Sequence, residues 1–362
     1  MTAMDPSLKH EEQAILRLRS LYRSYGYTHY KMSKFEEYDL YVRNKSFLVS
    51  ENILTFTDTD GKLMALKPDV TLSIIKNVKE GSTALEKVYY NENVYRTSPT
   101  SHGFQEIMQA GLECIGDLDL YAISEVVLLA ARSLESISEA YLLDLSHLGF
   151  VTGLLNQLGL RESALRELLG YLGAKNTSAI TAACGRYGVS PQHREQLCRL
   201  ALLYGTPEEV LPELKKMAAG PQMERALAEL KEICSLLSPG GYCLRLDFSI
   251  VNDKNYYNGL VFRGFLPGLP SSILAGGQYD NLLHRMGKRG GAIGFAVYLD
   301  LLERFGGEEL AYDVDVLLLY DRGISPAKVA AEVAAIEGSG QSVRAERTIP
   351  AGLKYRQVRE VR

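Results

Sequence analysis

The chain has 362 residues, of which 46% are hydrophobic and 23% are charged, and it carries a formal net charge of -4 with a pI near 6.0. A chain of this length buries a large core and has room for two or three domains. Its acidic balance argues against a general nucleic-acid binder or a binder of anionic membranes, since both need a basic face, although a local basic patch stays compatible with it.

Apolar runs and cysteine usage indicate the compartment. No apolar run approaches the roughly 20 residues that span a bilayer, and the polar, acidic start MTAMDPSLKHEEQ lacks the pattern of a signal peptide. The 5 cysteines lack CxxC spacing, and the 6 histidines are scattered without HxH or HxxxH pairs. We therefore expect a cytoplasmic chain with reduced thiols, no membrane segment, no disulfide framework, no metal site and no cofactor.

The first part of the chain mixes helical and strand patterns. In chain order the patterns predict a helix at 11–27, short strands within 52–66 around a turn at 58–61, a helix from about Thr71, an antiparallel strand pair at 87–96 and 105–116, and a helix that Asp119 caps and that runs to Ile137.

The remainder is helical at first and then returns to strands. The patterns predict helices across 150–237 with starts at Ser190-Pro191 and Thr206-Pro207, strands at 242–250 and 256–262, a strand at 314–320, a helix start at Ser325-Pro326 and a basic amphipathic piece at 352–362. A strict βαβ alternation is absent, which argues against a Rossmann domain. The predicted class is α+β, an antiparallel sheet flanked by helices, with a helical insertion.

Two predicted strands divide their side chains into an apolar and a polar face, because side chains alternate along a strand. Either polar face can simply meet water at the edge of a sheet, and the two together can line one cleft that binds a small polar ligand. The polar faces carry Gln109, Gly111 and Glu113 in one strand and Arg245, Asp247 and Ser249 in the other, opposite Ala110, Leu112 and Cys114, and Leu244, Leu246, Phe248 and Ile250.

Three further segments allow two interpretations. The glycine-rich stretches at 275–280 and 287–295 match neither the Walker phosphate loop nor the dinucleotide fingerprint, so tight turns and close backbone packing explain them without a ligand. The stretch Pro68 to Thr71 can belong to a site, or it can be a helix N-terminus that Asp69 or Thr71 caps.

Taken in order, several segments resemble the sequence elements of the histidyl-tRNA synthetase family of class II synthetases. They are GYTHYKMSKFEEYDLY (26–41, motif 1), LKPDVT (66–71), VYYNENVYR with FQEIMQAGLECIG (88–96 and 104–116, motif 2), NYYNGLVF (255–262), AGGQYDNLL (275–283) and AIGFAVYLDLLERF (292–305, motif 3). The resemblance implies a class II synthetase-like domain at 1–149 and 239–310, a helical insertion at 150–238, and a short C-terminal α/β segment at 311–362 that is similar to part of an anticodon-binding domain.

The resemblance also implies a histidine pocket. In that family the matching positions hold the substrate ammonium at Asp69, Thr71 and Gln109, contact the imidazole at Glu113, Tyr257 and Tyr279, and contact the carboxylate or the α-phosphate at Arg96. Carboxylate and amide oxygens accept hydrogen bonds from an ammonium or an imidazole N–H, which agrees with these roles.

The half of the family's site that handles ATP is not matched. Adenylation builds negative charge on the α-phosphate and the pyrophosphate, and arginines offset this charge. This chain lacks the arginines at the corresponding positions. Gly103 and Gln105 stand in a loop that is basic in the family, Asn252 opens the histidine-specific segment, and Leu301 stands at the motif 3 arginine. The resemblance therefore implies that histidine activation is lost.

A chain that keeps the amino-acid pocket of a synthetase and lacks the residues for adenylation resembles the regulatory subunits of ATP phosphoribosyltransferase. In those subunits an aspartate also stands at the position of Asp69. That resemblance implies a non-catalytic subunit with histidine as feedback ligand, a short-form catalytic subunit as partner, and a homodimer within a hetero-oligomer. The tail from about Tyr312 is short for a complete anticodon-binding domain, so no tRNA is expected. Ser33 and Lys67 depart from the family pattern. The alternatives are an active histidyl-tRNA synthetase and another synthetase-like paralogue that senses histidine or acts on a different small molecule.

Overall fold

The computed structural model describes residues 8–48, 52–78, 85–97, 103–251, 256–304 and 312–361. The chain divides into two compact units, Met1–Phe305 and Gly306–Arg362. The assignment of 150–238 to a separate helical insertion stays a prediction.

A nine-stranded sheet forms the centre of the first unit. Side by side lie β1 (Thr28–His29), β5 (Glu86–Thr97), β6 (Phe104–Gly116), β12 (Gly291–Tyr298), β11 (Leu274–Gln278), β10 (Leu260–Phe265), β7 (Leu142–His147), β9 (Leu244–Asp247) and β8 (Tyr204–Gly205). Neighbouring strands run antiparallel except for the parallel pairs β1–β5 and β7–β9. The predicted α+β class is confirmed, and the two parallel pairs are an addition to the predicted antiparallel sheet.

A second, small antiparallel sheet consists of three strands, in the order β2 (Phe35–Glu37), β4 (Leu63–Leu66) and β3 (Thr55–Thr57). The predicted turn joins β3 to β4, where the Gly61 N–H donates to the Asp58 carbonyl at 3.2 Å. Gly61 has a φ of +79°, which a residue without a Cβ adopts at little cost.

Several helices of the first unit begin at side-chain caps. Asp119 accepts a hydrogen bond from the Ala122 N–H at 2.7 Å, and Thr206 with Glu209 forms a capping box, as predicted. The helices are α1 (His10–Ser24), α2 (Tyr38–Arg43), α3 (Thr71–Asn77), α4 (Leu120–Ile137), α5 (Leu148–Asn156), α6 (Glu162–Gly173), α7 (Thr177–Tyr187), α8 (Pro191–Leu202), α9 (Pro207–Met217), α10 (Pro221–Leu237) and α11 (Asp280–Arg285), with short 3-10 helices at Lys45–Phe47, Ser238–Gly240 and Leu299–Arg304.

The main core lies on the face of the large sheet that α1 and α4 cover. Strand β6 sends Ala110, Leu112 and Cys114 into this core, and each is 3% exposed or less. Burying an apolar side chain of this kind contributes about 1.5–3 kcal/mol. The same alternation leaves Gln109 and Glu113 on the opposite face.

Two predicted strands are shorter in the structure. The strand predicted at 242–250 ends at Asp247, because the Asp247 carboxylate accepts hydrogen bonds from the Ser249 N–H and hydroxyl and so closes a turn. The strand predicted at 256–262 begins only at Leu260.

The second unit is a three-stranded parallel sheet of β14 (Val343–Glu346), β13 (Val314–Leu319) and β15 (Tyr355–Glu360), with helix α12 (Pro326–Gly338). Ser325 caps α12 as predicted, and the basic piece predicted at 352–362 contains β15. Throughout the described ranges, no helix combines the length and apolarity that crossing a membrane requires.

Candidate functional site

A cavity of about 440 Å³ lies over the polar face of β6 and its neighbours. Its wall includes the start of α3, the tyrosines before β10 and the residue that precedes α11. All seven residues predicted to bind histidine line it: Asp69, Thr71, Arg96, Gln109, Glu113, Tyr257 and Tyr279. The structure thus brings together side chains that are up to 210 positions apart in sequence, while the binding of histidine itself stays a prediction.

Glu113 is a deeply enclosed carboxyl in the cavity wall, with 2% of its surface exposed. Its Oε1 accepts a hydrogen bond from the Thr71 hydroxyl at 2.8 Å, and its Oε2 accepts one from the Tyr279 hydroxyl at 2.5 Å. Burial raises the pKa of Glu113 to about 8, although both hydroxyls act in the opposite direction. A carboxyl held in this way suits a ligand that shares a proton with it.

Gly294, the register partner of Glu113 on β12, leaves the space that this carboxyl occupies. A Cβ at Gly294 would lie 1.7 Å from Glu113 Oε2 and 2.5 Å from the Leu112 carbonyl oxygen. We expect Gly294→Ala to destabilise the fold by about 1–3 kcal/mol, because overpacking displaces side chain and backbone, and to abolish ligand binding. Thermal unfolding and calorimetry measure both effects.

The matched control for Gly294→Ala is Gly170→Ala in α6, where a Cβ meets nothing within 4 Å. Alanine is the better helix former, so this change should leave stability equal or slightly higher. Unaltered stability and binding in Gly294→Ala would show that the position has no such packing role.

Asp69 serves the fold and faces the cavity at the same time. Its Oδ1 accepts from the Leu72 N–H at 2.9 Å, so it holds the first turn of α3 as the helix-start interpretation predicts. Burial raises the pKa of Asp69, while the charge of Arg96 lowers it. Arg96 is itself tied to this loop, since its Nε donates to the Pro68 carbonyl at 2.8 Å.

Gln109 offers a donor to the cavity. The side chain is 2% exposed, and its Nε2 has no hydrogen-bond partner within the described part of the chain. An unpaired buried amide donor costs free energy until an acceptor reaches it. A ligand carboxylate or carbonyl would satisfy this nitrogen, whereas the predicted ammonium would face the amide oxygen.

Two interpretations of the polar strand faces are wrong. β6 lies between β5 and β12 and is therefore not an edge strand. Arg245 and Asp247 do not share the cleft of Glu113, because β9 lies beyond β12, β11, β10 and β7. Local alternation gives each strand two faces but contains no information on which strands are neighbours.

The positions predicted to have lost ATP contacts are placed only in part. Neither Gly103 nor Gln105 nor Leu301 is among the described residues that line the cavity. Gln105 is exposed opposite Arg96 in the β5–β6 pair, and Leu301 lies half-buried in a 3-10 helix. Asn252 lies outside the described residues, as do 98–102 of the loop after motif 2.

Sequence reasoning missed several residues of the cavity wall. The additional polar ones are Tyr90, Tyr256, Arg263, Ser272 and Tyr298. A lone arginine in the apolar strand LVFRGF was a signal for Arg263. The close backbone packing predicted for the glycine-rich stretches is confirmed at Gly276, Gly277 and Gly294, which lie within β11 and β12, where neighbouring backbone leaves no room for a Cβ.

Comparison with known proteins agrees with this fold. The family model described as histidyl-tRNA synthetase matches residues 3–302. An ATP phosphoribosyltransferase regulatory subunit of Caldanaerobacter subterraneus subsp. tengcongensis is 34% identical over 294 residues, covering 78% of this chain and 75% of that protein. One of Ruminiclostridium cellulolyticum is 27% identical over 317 residues, covering 84% and 75%.

Solved structures show the same architecture. A structure described as an ATP phosphoribosyltransferase regulatory subunit/histidyl-tRNA synthetase of Bacillus halodurans superposes with a TM-score of 0.80 at 22% identity, covering 99% of this chain and 96% of that one. A chain of the ATP phosphoribosyl transferase complex of Thermotoga maritima gives 0.64 at 18% identity, covering 82% and 98%.

The sheet, its flanking helices and the cavity over β6 define a class II synthetase-like protein. With 300 of its residues matched by the family model and a 34% identical relative, the chain belongs to the histidyl-tRNA synthetase family, in the branch of ATP phosphoribosyltransferase regulatory subunits.

Proposed function

We propose that this chain is a non-catalytic regulatory subunit of ATP phosphoribosyltransferase, required for activity of the short catalytic subunit and for feedback by histidine in the first step of histidine biosynthesis. The observation that carries the proposal is the buried Glu113 carboxyl, held between two hydroxyls at the wall of a cavity whose remaining polar groups suit an amino acid.

The cavity is complementary to histidine in three places. Glu113 accepts from the imidazole N–H, and Tyr257 contributes a ring beside it. Asp69 supplies negative charge for the α-ammonium. Arg96 and the Gln109 amide nitrogen supply donors for the α-carboxylate. Charge-assisted hydrogen bonds of this kind are the strong ones, and burial strengthens them further.

Histidine activation needs more positive charge than the family positions of this chain provide. By resemblance to the family, the positions that have lost ATP contacts are Gly103, Gln105, Asn252 and Leu301. Removing one oxyanion partner costs about 10²–10³ in rate, so several absent partners should leave no measurable adenylation.

An ATP–pyrophosphate exchange assay tests this loss directly. With saturating histidine we expect exchange at the level of the protein-free background, because the negative charge that develops on the phosphates is not stabilised. A histidyl-tRNA synthetase assayed under the same conditions is the positive control. Histidine-dependent exchange at a comparable rate would refute the non-catalytic assignment.

Assembly with the catalytic subunit is the second part of the proposal. The names of the relatives and the Thermotoga maritima complex support a short-form ATP phosphoribosyltransferase catalytic subunit as partner. We propose a hetero-oligomer that contains a homodimer of this chain, formed through the synthetase-like unit, without tRNA. When the chain is co-expressed with a tagged short catalytic subunit, purification through the tag should recover both chains. Light scattering should then give the mass of one particle that contains both. Two folded proteins that elute separately would contradict it.

A further inference from the structure

Two tyrosines of the cavity wall, Tyr257 and Tyr279, come from different segments of the chain. Tyr257 lies in the turn before β10, and Tyr279 is the residue before α11. Both rings lie against that of Tyr256, with centroids 4.8 Å and 5.7 Å away. Since both tyrosines are predicted to contact the imidazole, the separation of these two segments determines the room left for that ring.

A direct hydrogen bond joins the two segments. Asn258 follows Tyr257, Asp280 follows Tyr279, and Asn258 Nδ2 donates to Asp280 Oδ2 at 3.1 Å. The same amide accepts through its Oδ1 from the Asn281 N–H at 3.5 Å. The residues that follow the two tyrosines in sequence are therefore tied to each other.

Gln278 holds the same turn from the side of β11. Its backbone carbonyl accepts from the Asn258 N–H at 2.9 Å, and its side-chain Oε1 accepts from the Leu260 N–H at 2.6 Å. A Cβ at Gly259 would lie 2.0 Å from this Oε1. Gln278 is buried, so these hydrogen bonds are shielded from water.

Asp280 extends the contact to β12, the strand that carries Gly294 opposite Glu113. Its Oδ1 accepts from the Ala292 N–H at 2.8 Å, and the Tyr279 N–H donates to the Ala292 carbonyl at 2.8 Å. The Tyr279 hydroxyl donates to Glu113. Tyr279 is thus fixed at its backbone, at its hydroxyl and through the residue that follows it.

We propose that Asp280 and Asn258 are positioning residues that set the gap between Tyr257 and Tyr279 in which the imidazole binds. Neither is among the described residues that line the cavity, so both act through the tyrosine that precedes them. Their role rests on the proposed function, since it takes histidine as the ligand. It assigns part of the selectivity for the imidazole to a hydrogen bond outside the cavity.

A pair of exchanged side chains tests this role by calorimetric titration with histidine. In Asp280→Asn two NH₂ groups face each other, and turning the Asn258 amide instead points its NH₂ at the Asn281 N–H. We expect about tenfold weaker binding, because a hydrogen bond to a charged group is lost. Asn258→Asp opposes two carboxylates and should lose at least as much. The double variant Asn258→Asp/Asp280→Asn restores one donor and one acceptor, and should bind within about twofold of the wild type.

Two further measurements separate positioning from general destabilisation. Asp119→Ala removes the cap of α4 and should lower thermal stability to a similar extent, with unaltered histidine affinity. The chain has no tryptophan, so tyrosines dominate its near-ultraviolet circular dichroism. Without ligand, Asp280→Asn should weaken this tyrosine band, the double variant should restore it, and Asp119→Ala should leave it unchanged.

The positioning role is overturned if Asp280→Asn binds histidine as tightly as the wild type does, or if the double variant binds no better than the single ones. Should Asp280→Asn fail to fold, Asn258→Ala takes its place, since it leaves the Ala292 contact intact, and wild-type affinity there would be equally decisive. A wild-type chain that binds no histidine contradicts the proposed function instead. The tyrosine band then decides, and an unchanged band in Asp280→Asn overturns the positioning role.

Discussion

Glu113→Gln is expected to weaken histidine binding by about ten- to hundredfold, since a hydrogen bond to a charged group contributes about 1.5–3 kcal/mol. The carboxylate accepts from Thr71 and Tyr279 and has no donor of its own once ionised. A glutamine amide must turn its NH₂ toward one of these hydroxyls or toward the imidazole N–H. In either arrangement two hydrogen-bond donors point at each other. Calorimetric titration with histidine measures the loss.

Two further variants make this result specific. Glu106→Gln changes an exposed carboxylate on the same strand, which accepts from Asn93 and Tyr95, and should leave the affinity unaltered. Tyr279→Phe removes one of the two hydroxyls and should have an intermediate effect. If Glu113→Gln binds histidine as tightly as the wild type does, the cavity serves another ligand.

The second large effect is expected in the pH dependence of histidine affinity. The imidazole of histidine titrates at about pH 6.5, and burial raises the pKa of Glu113 to about 8. Between these values the empty site holds a proton on Glu113, free histidine has a neutral ring, and the complex shares one proton between them. Affinity should therefore form a plateau from about pH 6.5 to about pH 8.

Outside the plateau, binding must exchange a proton with the solvent. Above about pH 8 the ionised Glu113 needs a proton taken up with the ligand, and below about pH 6.5 binding releases one, so affinity falls up to about tenfold per pH unit on either side. Calorimetry in buffers of different ionisation enthalpy counts these protons.

Glu113→Gln is the control for the pH profile, because the α-ammonium of histidine titrates at alkaline pH as well. The variant keeps the contribution of the ammonium and lacks that of the carboxyl. Equal profiles for wild type and variant above pH 8 would show that Glu113 does not hold the shared proton.

Local patterns in the sequence predicted much of the site. Alternation along β6 correctly separated Gln109 and Glu113 from Ala110, Leu112 and Cys114, because successive side chains of a strand point to opposite faces of the sheet. The caps at Asp119 and Thr206 were equally predictable, since a cap depends on residues within one helical turn.

Features that depend on strand order were not predictable in this way. Nothing in the alternation of 244–250 shows that β9 pairs with β7 and lies far from β6. The position of Arg263 in the cavity wall and the contact of Lys175 with Asp247 likewise arise from pairings between distant segments. Parallel pairing of β7 with β9 joins residues about 100 positions apart, a distance that local periodicity does not address.

We propose that histidine bound in this cavity controls the activity of a catalytic partner. The most direct test is the ATP phosphoribosyltransferase activity of a short catalytic subunit that is reconstituted with this chain and titrated with histidine, using wild type and Glu113→Gln in parallel. We predict that the catalytic subunit requires the chain for activity, and that Glu113→Gln moves inhibition to about tenfold higher histidine or beyond. Activity that is indifferent to the chain, or identical inhibition curves for both forms, would contradict the claim.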